Sequence, residues 1–253
     1  MANIHTTFKR KEVKYKLTEA QYEKFREIVD LHMMPDEYGE STICNIYYDT
    51  ENFDLIRNSI EKPVYKEKIR LRSYGVPEAG DPVFLEVKKK FRGIVYKRRV
   101  ILPLEEAYDS LQKEQLKEEH GQIGRELSYV LQHYHVKPKV YLAYDRLALQ
   151  GREDPSLRMT FDFRIRGRLE QLDLASGDDG EFLVKEDTVV MEVKAGDAFP
   201  LWLVHALEEL QIYPCSFSKY GTLYKKKIIP KLYPTDGILK EAALTSENKS
   251  QLS

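Results

Sequence analysis

The sequence predicts an α+β chain that is mostly β: a closed antiparallel barrel of about eight strands with helices packed outside. Three observations lead there. Charged residues recur at every second position in strand-like segments, as in Lys68-Ile-Arg70-Leu-Arg72, Glu86-Val-Lys88-Lys-Lys90 and Glu192-Val-Lys194, and again from Arg158 to Arg166. Side chains of a strand alternate faces, so one face of each segment carries Lys, Arg and Glu and the other carries Ile, Leu, Val, Phe or Met. About eight such segments occur, with helical stretches inserted between them. No Pro/Gly/Ser-rich linker splits the 253 residues, and all-β barrels reach this length as single domains. The expected layout is one domain over 1–230 and a polar tail over 231–253.

The elements follow in order. Residues 8–17 read as a first strand. Thr18 is an N-cap with Gln21 three residues on, and Tyr22, Phe25, Ile28, Val29 and His32 keep helical spacing until Pro35 and Gly39. Residues 43–50 form a strand and 51–59 a short helix or turn. Strands follow at 62–73, 83–90 and 93–102, the last two joined by a short hairpin at Phe91-Arg92-Gly93. Residues 104–119 and 122–135 are acidic amphipathic helices. Strands at 139–149 and 157–167 flank a turn marked by Gly151 and Pro155. Residues 169–186 form a strand or an exposed loop, and 187–195 another strand. Pro200 opens a helix to about Ile212, and Ser216–Lys227 is the last helix.

Composition removes several function classes. There are 40 Lys+Arg against 41 Asp+Glu, a formal net charge of −1, so overall charge does not point to nucleic acid. Cys44 and Cys215 build neither a disulfide framework nor a four-ligand zinc site, and both read as buried thiols. His133 and His135 read as surface residues at a helix end. No signal peptide or membrane-length apolar stretch is present, so a soluble cytoplasmic location is expected. The sequence has no P-loop, no GxGxxG and no Ser-His-Asp or Cys-His grouping.

What remains is the charge pattern itself. A hairpin joining 83–90 to 93–102 sets Glu86, Lys88 and Lys90 beside Lys97 and Arg99, and like charges directly across strands destabilise a sheet. Lys68, Arg70 and Arg72 repeat the pattern. One reading is a set of solvated strand faces. The other is a cationic channel for a polyanion, most naturally a phosphate chain with its metal ion, since the planar fork of Arg suits phosphate. Glu86 and Glu192 then either neutralise lysines or hold Mg2+ or Mn2+, which take oxygen ligands. Asp162 shares a face with Arg158 and Arg164, and an intrastrand ion pair is preferred there to a metal ligand.

The ordered set FKRKEVKY (8–15), YYDT (47–50), KIRLRSYG (68–75), FLEVKKK (84–90), VYKRRV (95–100), YDRLAL (144–149), LRMTFDFRIR (157–166), VMEVK (190–194) and FSKYGTLY (217–224) resembles the polyphosphate-polymerase domain of the vacuolar transporter chaperone (VTC) family. That domain belongs to the triphosphate tunnel metalloenzymes, or CYTH superfamily. The resemblance implies transfer of the γ-phosphate of ATP or another nucleoside triphosphate to a growing polyphosphate chain, with Mn2+ or Mg2+. It implies that Arg70, Arg72, Lys88, Arg146 and Arg158 act on the transferring phosphates. Arg10, Lys14, Lys68, Lys97, Lys194 and Lys219 would bind the chain, and Glu192, with Glu86 and Glu12 in support, would hold the metal. Arg10, Glu12 and Lys14 replace the ExExK that opens most CYTH members, as in the VTC branch. A triphosphatase, or a non-catalytic polyphosphate-binding module, is the alternative on the same fold. Neither the SPX domain nor the transmembrane helices of eukaryotic members are present, so regulation and export in cis are not expected. No nucleic-acid partner is expected.

Overall fold

The computed structural model describes residues 11–61, 63–92, 94–196 and 198–233. Strand β1 (Lys11–Thr18) enters α1 (Glu19–His32) through the predicted cap. The Gln21 amide donates to the Thr18 hydroxyl at 3.2 Å, and the Thr18 amide donates to Gln21 Oε1 at 3.0 Å. Each side chain thus satisfies a backbone donor that the first helical turn leaves free. The chain then passes directly into β2 (Met33–Asp49), which starts well before residue 43. Helix α1 ends at His32, ahead of Pro35 as predicted, but Pro35 and Gly39 lie inside β2, at a register break between Pro35 and Glu40.

After β2 come α2 (Asp54–Ile60), β3 (Tyr65–Tyr74), β4 (Pro82–Phe91) and β5 (Ile94–Pro103). Helices α3 (Leu104–Lys113) and α4 (Gly121–Tyr134) follow. The first is shorter than its 104–119 pattern because Glu114 turns left-handed at φ 54° and ends it. Next come β6 (Lys137–Gly151), β7 (Arg158–Arg168), β8 (Glu181–Phe182), β9 (Thr188–Ala195), α5 (Leu201–Glu209) and β10 (Pro214–Cys215). The predicted last helix is split into α6 (Lys219–Leu223), a π-helical turn over 224–228 and α7 (Ile229–Leu232). The expected polar tail, apart from residues 231–233, and Arg10 lie outside the described residues. Cys44 is buried and Cys215 half-buried, and burial raises both thiol pKa values. His133 and His135 are exposed as predicted.

All pairings are antiparallel, in the order β10-β1-β9-β7-β6-β2-β3-β4-β5, with β8 on β7. The predicted closure does not occur: among the described residues the path is open, ending at β5 and β10. The end strand β10 is only two residues long, and Pro214 has no N–H to donate to a further strand. The sheet nevertheless curls. Lys88 of β4 feels the charges of Glu12, Lys14, Glu192 and Lys194, which sit on β1 and β9 at the far end of the path.

The convex side is the apolar one. Ile69, Leu71, Val83, Leu85 and Val87 are buried in one core with Leu111, Leu127 and Leu131 of α3 and α4. Met159, Phe161, Met191 and Val193 are buried in another with Phe25 and Val29 of α1 and Leu203 of α5. Each such side chain contributes about 1.5–3 kcal/mol when fully buried. A third cluster joins Tyr47, Leu142, Tyr144 and Ile165 to Tyr220 and Leu223 of α6. There α6 lies against the concave face at one end. Gly167 permits the approach, since a Cβ at that position would meet Leu223 Cδ1 at 2.6 Å and Leu142 Cδ2 at 2.9 Å.

Candidate functional site

Rows of side chains cross the concave face. Lys68 pairs in register with Lys88, and Lys88 with Lys97, so three lysines span β3, β4 and β5 with no carboxylate between them. The next row is Arg70, Glu86 and Arg99. On the opposite side Lys14 faces Glu192, which faces Thr160, while Glu12 faces Lys194, which faces Arg158.

Three carboxylates counter these cations, each in its own cluster. Glu86 is only 1% exposed. It accepts from Arg70 Nε at 2.7 Å and Nη2 at 2.6 Å, from Lys97 Nζ at 2.7 Å and from Arg99 Nε at 2.5 Å. Burial pushes its pKa up, but the charges of Arg70, Arg72 and Lys97 prevail and hold it well below the usual carboxylate range. Asp162 is bidentate with Arg146, at 2.6 and 2.9 Å, and also accepts from Lys219. This cross-strand cluster replaces the predicted intrastrand pair. Arg164 takes φ 42° at a bulge opposite Ala143 and Asp145, and beyond it the face reverses. Arg164 and Arg166 therefore bond Asp145 and Asp178, away from Asp162.

Glu192 forms the third cluster, with Lys194 at 2.6 Å and Lys14 at 3.4 Å. Burial again opposes ionisation and the two lysines overcome it, so the carboxylate is held well below its ordinary range. Lys14 also reaches the Phe217 carbonyl at 3.4 Å, and Glu12 lies 4.0 Å from it. Lys88 and Arg158 have no ion pair with any described residue.

Residues that charge periodicity did not mark complete the wall. Arg72 donates to Asn45 Oδ1 at 2.8 Å and to Tyr144 Oη at 2.9 Å. Arg70 Nη1 donates to Tyr47 Oη at 3.4 Å. Asn45, Tyr47 and Tyr144 share the concave parity of their strands, so the signal was there in neutral residues. Lys68 Nζ donates to Ser218 Oγ at 3.1 Å. Burial lowers the Lys68 pKa to about 8. The Tyr47 phenol is raised by burial, but Arg70, Lys68 and Arg72 bring it down to about 7. Both titrations take positive charge from the site as pH rises. Tripolyphosphate affinity, measured by calorimetry, should therefore fall as pH rises from 6.5 to about 8.5, and Lys68→Met should flatten the profile.

The donors fit a hard divalent cation at Glu192 better than at Glu86. The Glu192 side chain is 16% exposed, and its register neighbour Thr160 has a buried Oγ1 with no hydrogen-bond partner among the described residues. Both residues line a cavity of about 340 Å3 that Arg99, Arg146, Arg158 and Lys194 also line. Glu86 is occupied by three cations and serves as their counter-charge. Among the described residues, Glu106, Glu119 and His120 form the one group of three possible ligands. They lie at the outer helices, where Glu106 already bonds Lys117 and His120.

Residues 9–227 match the family model of the VTC domain, so the chain belongs to the VTC domain family. No curated protein matches it. Solved structures of similar outline include the PH1819 protein of Pyrococcus horikoshii OT3, 14% identical, covering 86% of this chain and 100% of that one at TM-score 0.47. A "putative adenylate cyclase" of Bacillus halodurans is 15% identical, with coverage of 83% and 95% and TM-score 0.48. A "putative adenylyl cyclase" of Hippeastrum, described as having a dominant triphosphatase activity, is 13% identical, with coverage of 85% and 95% and TM-score 0.48. No helix among the described residues is long and apolar enough to cross a membrane.

Proposed function

We propose that the chain is a metal-dependent polyphosphate polymerase that transfers the γ-phosphate of ATP, or another nucleoside triphosphate, to a growing polyphosphate chain. The observation that carries this reading is the lysine row Lys68–Lys88–Lys97, in which only Lys97 is paired with a carboxylate, Glu86, and which continues the cationic wall beyond the Glu192 cavity. A triphosphate carries about four negative charges near neutral pH, and a bound divalent ion offsets about two. Basic side chains on the concave face clearly outnumber Glu12, Glu86, Asp162 and Glu192, so they exceed the need of one triphosphate. A longer chain lying along the wall would meet the surplus.

In this reading Arg146 and Arg158 hold the triphosphate at the cavity. Glu192, with Thr160 and Glu12 nearby, would hold Mn2+ or Mg2+, which would supply positive charge against the phosphates. Arg70 and Arg72 keep their forks fixed by Glu86, Asn45 and the tyrosines, so they present charge without rearranging. Lys14, Lys68, Lys88, Lys97, Lys194 and Lys219 line the path of the chain. An oxygen of the chain's terminal phosphate attacks the γ-phosphorus, a new P–O bond forms, and the β–γ anhydride bond breaks to release nucleoside diphosphate. Alignment and fixed positive charge supply the acceleration, with no covalent enzyme intermediate.

Titration calorimetry with long-chain polyphosphate and with tripolyphosphate tests the extended wall. The long chain is expected to bind at least about tenfold more tightly per molecule, with an affinity that falls steeply with salt. Equal affinities would confine the site to one triphosphate and favour a triphosphatase.

A further inference from the structure

We propose that Tyr38 and Tyr74 form a base-stacking platform at the mouth of the cavity, which makes a nucleotide, and not a bare triphosphate, the preferred donor. This rests on the polymerase reading above and adds to it a subsite for the nucleoside. The two rings stack with centroids 5.7 Å apart and planes 12° from parallel. They are 54% and 39% exposed, and both line the cavity that Arg99, Arg146, Arg158 and Lys194 also line. Solvent-exposed stacked aromatics leave apolar area in water unless a flat partner covers it, and every base has a π-face that stacks in this way.

The platform is built into the sheet. Phe84 meets Tyr74 edge-on at 5.4 Å and is itself covered by the Arg99 guanidinium at 4.6 Å. Tyr38 sits on the break in β2 between Pro35 and Glu40. There Asp36 Oδ1 accepts from the amides of Tyr38 at 2.9 Å and Gly39 at 3.1 Å, and Gly39 takes φ +49°. Such a break re-aims a side chain out of the strand's alternation. Chemistry also fixes the direction. Asp36 and Glu37 beside Tyr38 repel phosphate and suit hydroxyl and amino donors, while Arg99, Arg146 and Lys194, less exposed than Tyr38, attract phosphate. A nucleotide therefore enters with its phosphates first and its base left on the tyrosines.

Calorimetry of ATP and of tripolyphosphate, each with Mg2+, on the full chain and on Tyr38→Ala, Tyr74→Ala and Tyr38→Trp tests this. Each alanine variant should weaken ATP about tenfold and leave tripolyphosphate within about twofold, and Tyr38→Trp should keep ATP affinity. Loss of both ligands in parallel, or no loss of ATP, would overturn the platform while the anion site stands. If neither ligand binds the unaltered protein, the polymerase reading falls and the platform with it. ATP binding that depends on the tyrosines without any chain product would sustain the platform and sink the polymerase.

Discussion

Glu86→Gln should destabilise the protein by about 3–5 kcal/mol, because it leaves Arg70, Lys97 and Arg99 around a buried site with no counter-charge. The carboxylate is held ionised well below its ordinary range, so its folded pKa is depressed. Its stabilisation is then fully present above the ordinary carboxylate range and is lost progressively as pH falls from that range through the depressed value. Urea unfolding at neutral pH measures the loss. Tripolyphosphate should restore much of it, since the freed cations gain an anion and a ligand that binds only the folded state stabilises it. A variant of unchanged stability but altered metal dependence would instead place a metal on Glu86.

Glu192→Gln should lower metal-dependent turnover by roughly a hundredfold or more, the scale seen when one preorganised charge-stabilising group is lost. Its effect on the bare anion should have the opposite sign. Lys14 and Lys194 lose their shared carboxylate, so metal-free tripolyphosphate should bind as tightly as before or more tightly. Turnover across a Mn2+ titration, set beside metal-free calorimetry, separates the two effects. Unchanged turnover would remove Glu192 from the site.

Much of the wall was legible because charge and strand period coincide. Arg70 and Arg72 against Ile69 and Leu71, Glu86 and Lys88 against Val87, and Glu192 and Lys194 against Val193 all fall on the faces their alternation predicts. Three features escaped it. The alternation from Arg158 to Arg166 was read as one face, but a single left-handed residue at Arg164 reverses it, and nothing local marks that residue. Asn45, Tyr47 and Tyr144 keep the parity of the cations but carry no charge, so a pattern read through charge passes over them. Closure failed because a strand count says nothing about whether the two end strands, β5 and the two-residue β10, will pair. Tyr38 was hidden by the reading of Pro35 and Gly39 as a helix end, although the strand continues through them.

The central claim is that the concave wall builds chains from nucleoside triphosphate. Incubation of the purified protein with ATP and Mn2+, with the products sized on a polyacrylamide gel stained for polyphosphate, addresses it most directly. A ladder of chains longer than triphosphate, absent with Glu192→Gln, is the expected result. Release of single phosphates from ATP with no chain product would contradict it and leave a triphosphatase on the same wall.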